Sequence, residues 1–200
     1  VNEEKLVYID NSQNVDVNNG VLNITIKENN YHCTSSVHQW GCSYQNCQEQ
    51  QNGNYLYNYE YTSGIVESNK EDFNFGYIEA KVRIPTGYGL NTAFFTLSRS
   101  YTTSPEKDIY EEIDVFEAIN GAYHQGTSYT DDNISNNYHV TQPGGDVLNG
   151  IYQVSHDYDD GNFHLYAIHW TPSKLEYYID GNLVREVTNH NLYLEHVLKF

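Results

Sequence analysis

The segment EEIDVFEAIN, residues 111–120, combines four carboxylates with the apolar residues of a buried strand. Alternate residues of a regular strand share a face, so Glu112 and Asp114 point to one side and the apolar residues between them to the other. Glu117 lies five residues beyond Glu112, and regular alternation would bury it in the core, where an unpaired carboxylate is costly. We therefore predict a β-bulge between Asp114 and Glu117, which returns Glu117 to the face of the other two acids.

Three acids on one face of one strand have a chemical consequence. Their mutual repulsion raises the pKa of at least one of them. Glycoside hydrolysis needs such a set, with an ionised carboxylate as nucleophile and a protonated carboxylic acid as leaving-group donor. A retaining mechanism requires the two groups to lie about 5–5.5 Å apart, so both side chains must lean inward on a bent strand. A solvated acidic face and a calcium-binding edge are the alternatives that the spacing leaves open.

The whole chain has the composition of an all-β protein. Its 200 residues include 20 Tyr and 7 Phe, which favour strands, while the helix formers Ala and Leu are sparse. Apolar residues alternate in short segments separated by turn residues, and no segment shows a helical period over ten residues. This pattern is typical of an antiparallel sandwich or jelly roll. The predicted strands are 20–29, 75–85, 91–98, 111–120, 123–130, 163–170, 175–181 and 182–187.

The charge limits the partners of the protein. The net charge of −17 argues against binding to nucleic acid and, less strongly, against sulfated polysaccharides. No stretch approaches the roughly 20 apolar residues of a membrane-spanning helix. The sequence starts at Val1 rather than Met, which leaves a removed signal segment open, and we expect a secreted or cell-surface protein.

The longest irregular region, residues 29–62, contains all three cysteines, Cys33, Cys42 and Cys47. One disulfide with a free thiol and no disulfide at all both remain open. Two nearby histidines suggest zinc, but the spacings match no zinc pattern, and we predict no metal site. Trp40 is isolated among polar residues of this region and is a candidate for stacking on a sugar.

The residues of the acidic strand also resemble a known family. Residues 112–117 are similar to the ExDxxE signature of family 16 glycoside hydrolases, which are retaining, endo-acting enzymes with a concanavalin-like β-jelly roll of two curved antiparallel sheets. The bulged form of the signature resembles that of laminarinases, agarases, carrageenases and endo-β-galactosidases. The segments 63–85, 89–97, 124–129 and 162–187 are similar to further blocks of the family, in the same order.

This resemblance covers roughly residues 15–198 and implies a single domain over residues 1–200, although the usual terminal strands of the family are not evident. It implies no organic cofactor. It leaves a structural calcium ion open, because family members often bind calcium through terminal segments. A monomer that binds a β-linked polysaccharide is expected, with no nucleic-acid or membrane partner.

The resemblance also assigns roles to the acids. Glu112 would be the nucleophile, Asp114 its assisting acid and Glu117 the general acid/base. Glu111 has no catalytic counterpart, and we expect it to be a charge on the rim of the site. His164 opens a predicted strand, and we expect it to have a structural role.

Departures from the family concern the substrate. Asn91 and Phe95 stand where laminarinases usually carry Trp, and Tyr129 stands where many members have a His beside the acid/base. Together with Trp40 and Arg83, these are the candidate substrate-binding residues. The first choice of substrate is a neutral β-1,3-glucan, cleaved by an endo-β-1,3-glucanase of the laminarinase kind. An endo-β-galactanase or agarase, and a carbohydrate-binding jelly roll without catalysis, are the alternatives.

Overall fold

The structure is a computed structural model in which every described element is a β-strand. It describes residues 6–9, 12–35, 47–49, 55–68, 73–98, 110–119, 123–124, 127–128, 133–142, 145–148, 152–158, 160–188, 190, 192 and 196–200. The chain divides into two compact units, Val1–Val66 and Glu67–Phe200. The single domain expected from the sequence therefore stays a prediction. Among the described residues, no helix has the length and apolar character needed to cross a membrane.

The first unit is built around a long strand near its end. Its strands are β1 (Leu6–Tyr8), β2 (Val15–Asn18), β3 (Val21–Ile24), β4 (Lys27–Ser35), β5 (Cys47–Glu49) and β6 (Tyr55–Ser63). Strand β6 pairs with β1 in parallel and with β4 and β5 in antiparallel orientation. Strands β2 and β3 form a hairpin through Asn19 and Gly20, which both have positive φ, as the predicted turn requires.

One predicted strand of this unit is divided in two. Residues 20–29 were expected to be continuous, but β3 and β4 are separated at Thr25. The backbone N–H of Thr25 donates to the carbonyl of Asn14 (2.8 Å), and the buried Asn14 side chain donates to the carbonyl of Thr25 (2.9 Å). The Asn14 amide also donates to Thr62 Oγ1 (3.2 Å), so the chain leaves the hairpin here to satisfy a buried polar side chain.

The second unit is a sandwich of two antiparallel sheets. Its strands are β7 (Gly76–Val82), β8 (Asn91–Ser98), β9 (Tyr110–Ile119), β10 (Tyr123–His124), β11 (Thr127–Ser128), β12 (Asn133–Gln142), β13 (Gly145–Leu148), β14 (Tyr152–Ser155), β15 (His164–Trp170), β16 (Lys174–Ile179), β17 (Asn182–Thr188) and β18 (His196–Lys199). One sheet has the order β13-β12-β9-β8-β18, with β14 also paired to β12, and the other has the order β17-β16-β15-β7.

Side chains from both sheets form the core between them. The ring of Phe116 on β9 lies 4.4 Å from that of Tyr166 on β15, centroid to centroid. The buried Tyr177 hydroxyl on β16 donates to the carbonyl of Asn137 on β12 (2.8 Å). Trp170 is fully buried at the end of β15 and packs edge-on against Phe75. The all-β sandwich predicted from the sequence is confirmed.

The neighbours of the acidic strand differ from the sequence prediction in one respect. Residues 123–130 were expected to form one strand, but they contain two strands of two residues, β10 and β11, that pair with each other. Strand β9 pairs with the predicted strand β8 on one side and, on the other side, with β12, which was not predicted from the sequence. Residues 133–142 therefore supply the neighbouring residues of the acids.

Candidate active site

The ladder between β8 and β9 contains an extra residue on β9. Phe94 lies opposite Phe116, and the next residue of β8, Phe95, lies opposite Asp114. Val115 has no partner in this ladder, so β9 advances by two residues where β8 advances by one. This is the β-bulge predicted from the parity of the acids, and it is confirmed.

The bulge brings all three acids to one face of the sheet. Cross-strand neighbours lie on the same face, and alternate residues of a regular strand share a face. The partners of Glu112, Asp114 and Glu117 are every second residue of β8 and of β12. They are Leu97, Phe95 and Ala93 on β8, and His139, Asn137 and Ser135 on β12.

The opposite face of β9 anchors the strand in the core. Ile113, Phe116 and Ala118 are each at most 1% exposed. Phe116 follows Ile113 by three residues, where a regular strand would have two, so the apolar face shows the same extra residue as the acidic face. Because these side chains are held between two sheets, the three acids project from a rigid strand rather than from a loop.

Two side chains of β12 hold the bulge. A bulge residue loses a ladder partner, and its backbone polar groups need another one. The Asn136 side-chain amide donates to the carbonyl of Val115 (2.5 Å), and the Ser135 hydroxyl donates to the carbonyl of Glu117 (3.3 Å). Asn136 is 1% exposed, so this contact is shielded from water. Asn136 is therefore a positioning residue for the strand segment that carries Glu117.

Burial and crowding change the titration of the acids. Burial raises the pKa of Glu112, and the charges of Asp114 and Glu117 raise it further, against the opposing effects of His139 and Lys199. Burial also raises the pKa of Asp114. The pKa of Glu117 is raised by burial and then by Asp114, while His139 lowers it. The set therefore holds protons at pH values where an isolated carboxyl has lost its own, and its members titrate together.

His139 is a member of the site that the sequence analysis missed. It lies opposite Glu112 on β12, and its Nε2 is 3.1 Å from Asp114 Oδ2. The Asn137 amide nitrogen is also 3.1 Å from this Nε2. This single ring nitrogen either donates to Asp114 or accepts from Asn137, according to the tautomer of the ring, so it links the middle acid of the set to β12.

A sequence signal for His139 exists. In β12, Ile134, Tyr138 and Val140 are buried apolar residues at even-numbered positions, with polar side chains at the odd-numbered positions between them. This is the period of a half-buried strand, and it places His139 on the polar face. Tyr129, the residue expected beside the acid/base from the resemblance, lies outside the described residues.

The other predicted substrate-binding residues are distributed unevenly. Phe95 is half-buried and lies directly opposite Asp114, and Asn91 is exposed and opposite Ile119, one row beyond Glu117. Arg83 follows β7 in the other sheet, where its guanidinium lies 5.2 Å from the Phe163 ring centroid. The structure thus brings Asn91 and Phe95 beside the acids but not Arg83. Trp40, like Tyr129, lies outside the described residues.

The expectation that Glu111 is a rim charge is wrong. Glu111 is only 4% exposed, because it precedes Glu112 and therefore points to the opposite, core face. Its Oε2 lies 3.3 Å from Nε2 of His196, and its backbone N–H donates to the Ser98 hydroxyl (3.1 Å). Nδ1 of the fully buried His196 lies 2.8 Å from the Thr96 hydroxyl. Glu111 thus belongs to a buried polar network.

A jelly-roll sandwich with a bulged acidic strand is the architecture that carries the ExDxxE signature. The family model described as glycosyl hydrolases family 16 matches residues 2–198, and the chain belongs to this family.

Relatives of this chain include several polysaccharide-degrading enzymes. It is 32% identical over 193 residues to the kappa-carrageenase of Pseudoalteromonas carrageenovora, covering 89% of this chain and 44% of that protein. It is 31% identical over 131 residues to the endo-1,3-1,4-beta-glycanase ExoK of Rhizobium meliloti, covering 64% of this chain and 42% of the relative. The chain therefore spans less than half the length of these two relatives.

The fold is also similar to that of solved structures. LamA from Z. galactanivorans, crystallised in complex with laminaritriose and laminaritetraose, matches with a TM-score of 0.71 at 19% identity. The match covers 99% of this chain and 73% of that one. At this level of identity the similarity establishes the jelly-roll fold.

Proposed function

We propose that this chain is a retaining, endo-acting glycoside hydrolase that cleaves a β-linked polysaccharide. The observation that carries the proposal is the bulge in β9, which brings Glu112, Asp114 and Glu117 to one face with raised pKa values. A carbohydrate-binding surface has no need of three crowded acids, whereas retaining hydrolysis needs a nucleophile and a proton donor side by side.

In the first step Glu117 donates its proton to the glycosidic oxygen while Glu112 attacks the anomeric carbon. The bond to the leaving sugar breaks, and a covalent glycosyl-enzyme forms. In the second step the ionised Glu117 takes a proton from water, whose oxygen attacks the same carbon and releases Glu112. Asp114, whose Oδ2 lies 3.1 Å from His139 Nε2, sits between the two glutamates, and its charge raises their pKa values and so favours the proton that Glu117 donates. Two inversions at one carbon retain its configuration.

A neutral β-1,3-glucan is the first substrate that we propose. The structural neighbour with the bound laminaritriose and laminaritetraose supports this choice. A neutral polymer is also compatible with the net charge of −17. Phe95, beside Asp114, offers an apolar ring to a sugar face where many laminarinases have Trp.

A galactose-containing polysaccharide is the second candidate, and the 32% identity to a kappa-carrageenase over 89% of the chain favours it. Sulfate esters on such a polymer would meet an acidic protein, so an unsulfated or sparsely sulfated galactan fits better. Because such polymers are too large to enter a cell intact, we propose that the protein acts outside the cell, secreted or at the cell surface. We also propose that it acts as a monomer.

A digestion panel tests the proposal. The protein is incubated with laminarin, mixed-linkage glucan, agarose, carrageenan, galactan and mucin glycans, and product sizes are measured. The proposal expects a series of oligosaccharides from at least one polymer, with the β-configuration retained in the first product. The Glu112→Gln variant should bind the same oligosaccharides without cleaving them. Binding without cleavage by the unmodified protein would favour the non-catalytic alternative.

A further inference from the structure

A second cluster of titratable side chains lies around the start of β15, and the proposed reaction does not use it. His164 opens β15, Asp180 follows β16 in the turn to β17, and His156 follows β14. One potential ligand atom from each residue lies within 4.8 Å of the other two. His156 and His164 are half-buried and Asp180 is exposed, so an ion in solution can reach all three.

We infer that His156, His164 and Asp180 bind a transition-metal ion of the Zn²⁺ class. Two imidazole nitrogens with one carboxylate oxygen are a zinc-type donor set, whereas Ca²⁺ and Mg²⁺ prefer oxygen alone. A tetrahedral ion needs ligand atoms about 2.0–2.1 Å from its centre, so the three side chains would close by small rotations around it. The fourth position is left to water. This inference is independent of the proposed hydrolase activity.

The neighbours of His164 match those of a metal ligand. Its Nδ1 is 2.8 Å from Asp180 Oδ2, so one ion between them would bind both, and its Nε2 is 3.2 Å from Asp160 Oδ1. Metal-binding histidines usually donate their second N–H to a carboxylate, which fixes the tautomer and the ring orientation. The Asp160 carboxylate is fixed in orientation, because it accepts hydrogen bonds from the backbone and the side chain of Asn162, both at 2.7 Å.

The other two ligands are also oriented by their surroundings. Asp180 Oδ1 accepts the backbone N–H of Leu165 (2.8 Å), which leaves Oδ2 directed at His164. Nε2 of His156 lies 3.2 Å from the Tyr166 hydroxyl, and the ion would take Nδ1. The His156 and His164 rings meet edge to face, 4.7 Å apart between centroids. Each ligand therefore has a partner that limits its rotation, as a preorganised site requires.

No metal site was predicted from the sequence, because the spacing of these three residues gives no signal. His164 follows His156 by eight residues, and Asp180 follows His164 by sixteen, which matches no zinc motif. The pairing of β15 with β16 brings Asp180 beside His164, and His156 joins them through its contacts with Tyr166 and with the His164 ring. A bound ion would tie the segment before β15 to the turn after β16. His156 also contacts Tyr166, which packs on Phe116 of β9, so the bound ion would stabilise this part of the core as well.

Zinc titration of the full chain, followed by a competing chromophoric chelator, tests the inference. The parent protein should bind one ion, and the same ion should raise its melting temperature in a saturable way. His156→Asn should abolish this site. Asp160→Asn should weaken it by about 10–100-fold, the usual effect of removing such an outer carboxylate. The matched control is His169→Asn, because His169 is also on β15 and lies 2.8 Å from a carboxylate, that of Glu176. This control should bind as the parent does.

Three results would overturn the inference: no binding to the parent, equal binding by His156→Asn and His169→Asn, or a sulfur charge-transfer band after Co²⁺ substitution. The last result would place the ion on the cysteines of residues 33–47, since a histidine and carboxylate site has no thiolate. If His156→Asn does not fold, Asp160→Asn decides, because Asp160 is exposed and its loss should not unfold the chain. Parent-like binding by that variant contradicts the assignment.

Discussion

The two faces of β9 hold carboxylates in opposite ways. On the core face, Glu111 lies beside His196, and its backbone N–H donates to Ser98. On the other face, Glu112 has two acidic neighbours that raise its pKa, in addition to its burial. Adjacent residues of one strand therefore serve a network that stabilises the fold and a site that destabilises it. Functional sites often carry such a cost, because reactive groups must be held in unfavourable surroundings.

The largest expected effect is a loss of activity that occurs on substitution of Glu112 but not of Glu111. Glu112→Gln removes the nucleophile and should lower kcat on the best polymer of the panel by at least about 10⁴-fold. Glu111→Gln is the matched control, because it makes the same change one residue away on the other face. It should keep kcat within a few-fold of the parent. Comparable losses of kcat in the two variants would contradict a catalytic role for one face of β9 and a structural role for the other.

The bulge predicts a smaller loss of activity at Asn136. Asn136→Ala removes the hydrogen bond to the Val115 carbonyl, so Glu117 should shift relative to Glu112. A shift of about 1 Å can cost about 100-fold in rate, and we expect kcat to fall by 10–100-fold with KM little changed. The alkaline limb of the pH profile should move as well, because Glu117 leaves its buried surroundings. A merely structural role would lower the melting temperature without moving that limb.

The half-buried Asn23 of β3, in the other unit of the chain, offers the control for this variant. Its side chain donates to the carbonyl of Val21 two residues away, and Asn23→Ala should change neither kcat nor the pH profile. An unchanged profile in Asn136→Ala would contradict the role given to the bulge contact.

Glu111 should show its effect in stability. Glu111→Ala leaves the fully buried His196 without its carboxylate partner, and an unsatisfied buried polar group costs about 1–3 kcal/mol. Urea denaturation should detect a loss of this size, with the activity per folded molecule retained. Glu186→Ala is the comparison, since Glu186 is exposed and its pair with Lys174 is worth about 0–1 kcal/mol. Equal losses in the two variants would mean that the Glu111 network contributes nothing special.

The smallest expected effect is a pH dependence of stability. Because the pKa of Glu112 is raised in the folded protein, the folded state binds more protons than the unfolded chain above the ordinary carboxyl range. Stability from this group is therefore present at low pH. It is lost as the pH rises from the ordinary carboxyl range to the folded-state pKa of about 8. Glu112→Gln should remove part of the loss, so the variant should gain stability relative to the parent as the pH rises from about 5 to 8. A constant difference between the two curves would argue against a raised pKa.

The features that the sequence predicted are local ones. The bulge followed from the parity of three acids within six residues. The hairpin turns followed from the pairs Asn19-Gly20 and Asp180-Gly181, whose four residues do have positive φ in the structure. These predictions needed only the two-residue period of a strand and the cost of burying a charge.

The features that the sequence did not predict depend on pairing between distant segments. Glu111 meets His196 across 85 residues, and Asp114 meets His139 across 25. The parity that placed Glu117 also placed Glu111 on the core face, but the histidine that makes this burial possible comes from a strand distant in sequence. The cluster of His156, His164 and Asp180 likewise exists only once β15 has paired with β16.

Trapping the covalent intermediate tests the central claim most directly. A 2-deoxy-2-fluoro glycoside of the sugar identified by the digestion panel would slow the second step, and peptide mass spectrometry would locate the adduct. We expect one fluoroglycosyl group per chain, esterified to Glu112, with turnover restored when a transfer acceptor is added. An adduct on Asp114 or Glu117, or inverted products without any adduct, would contradict it.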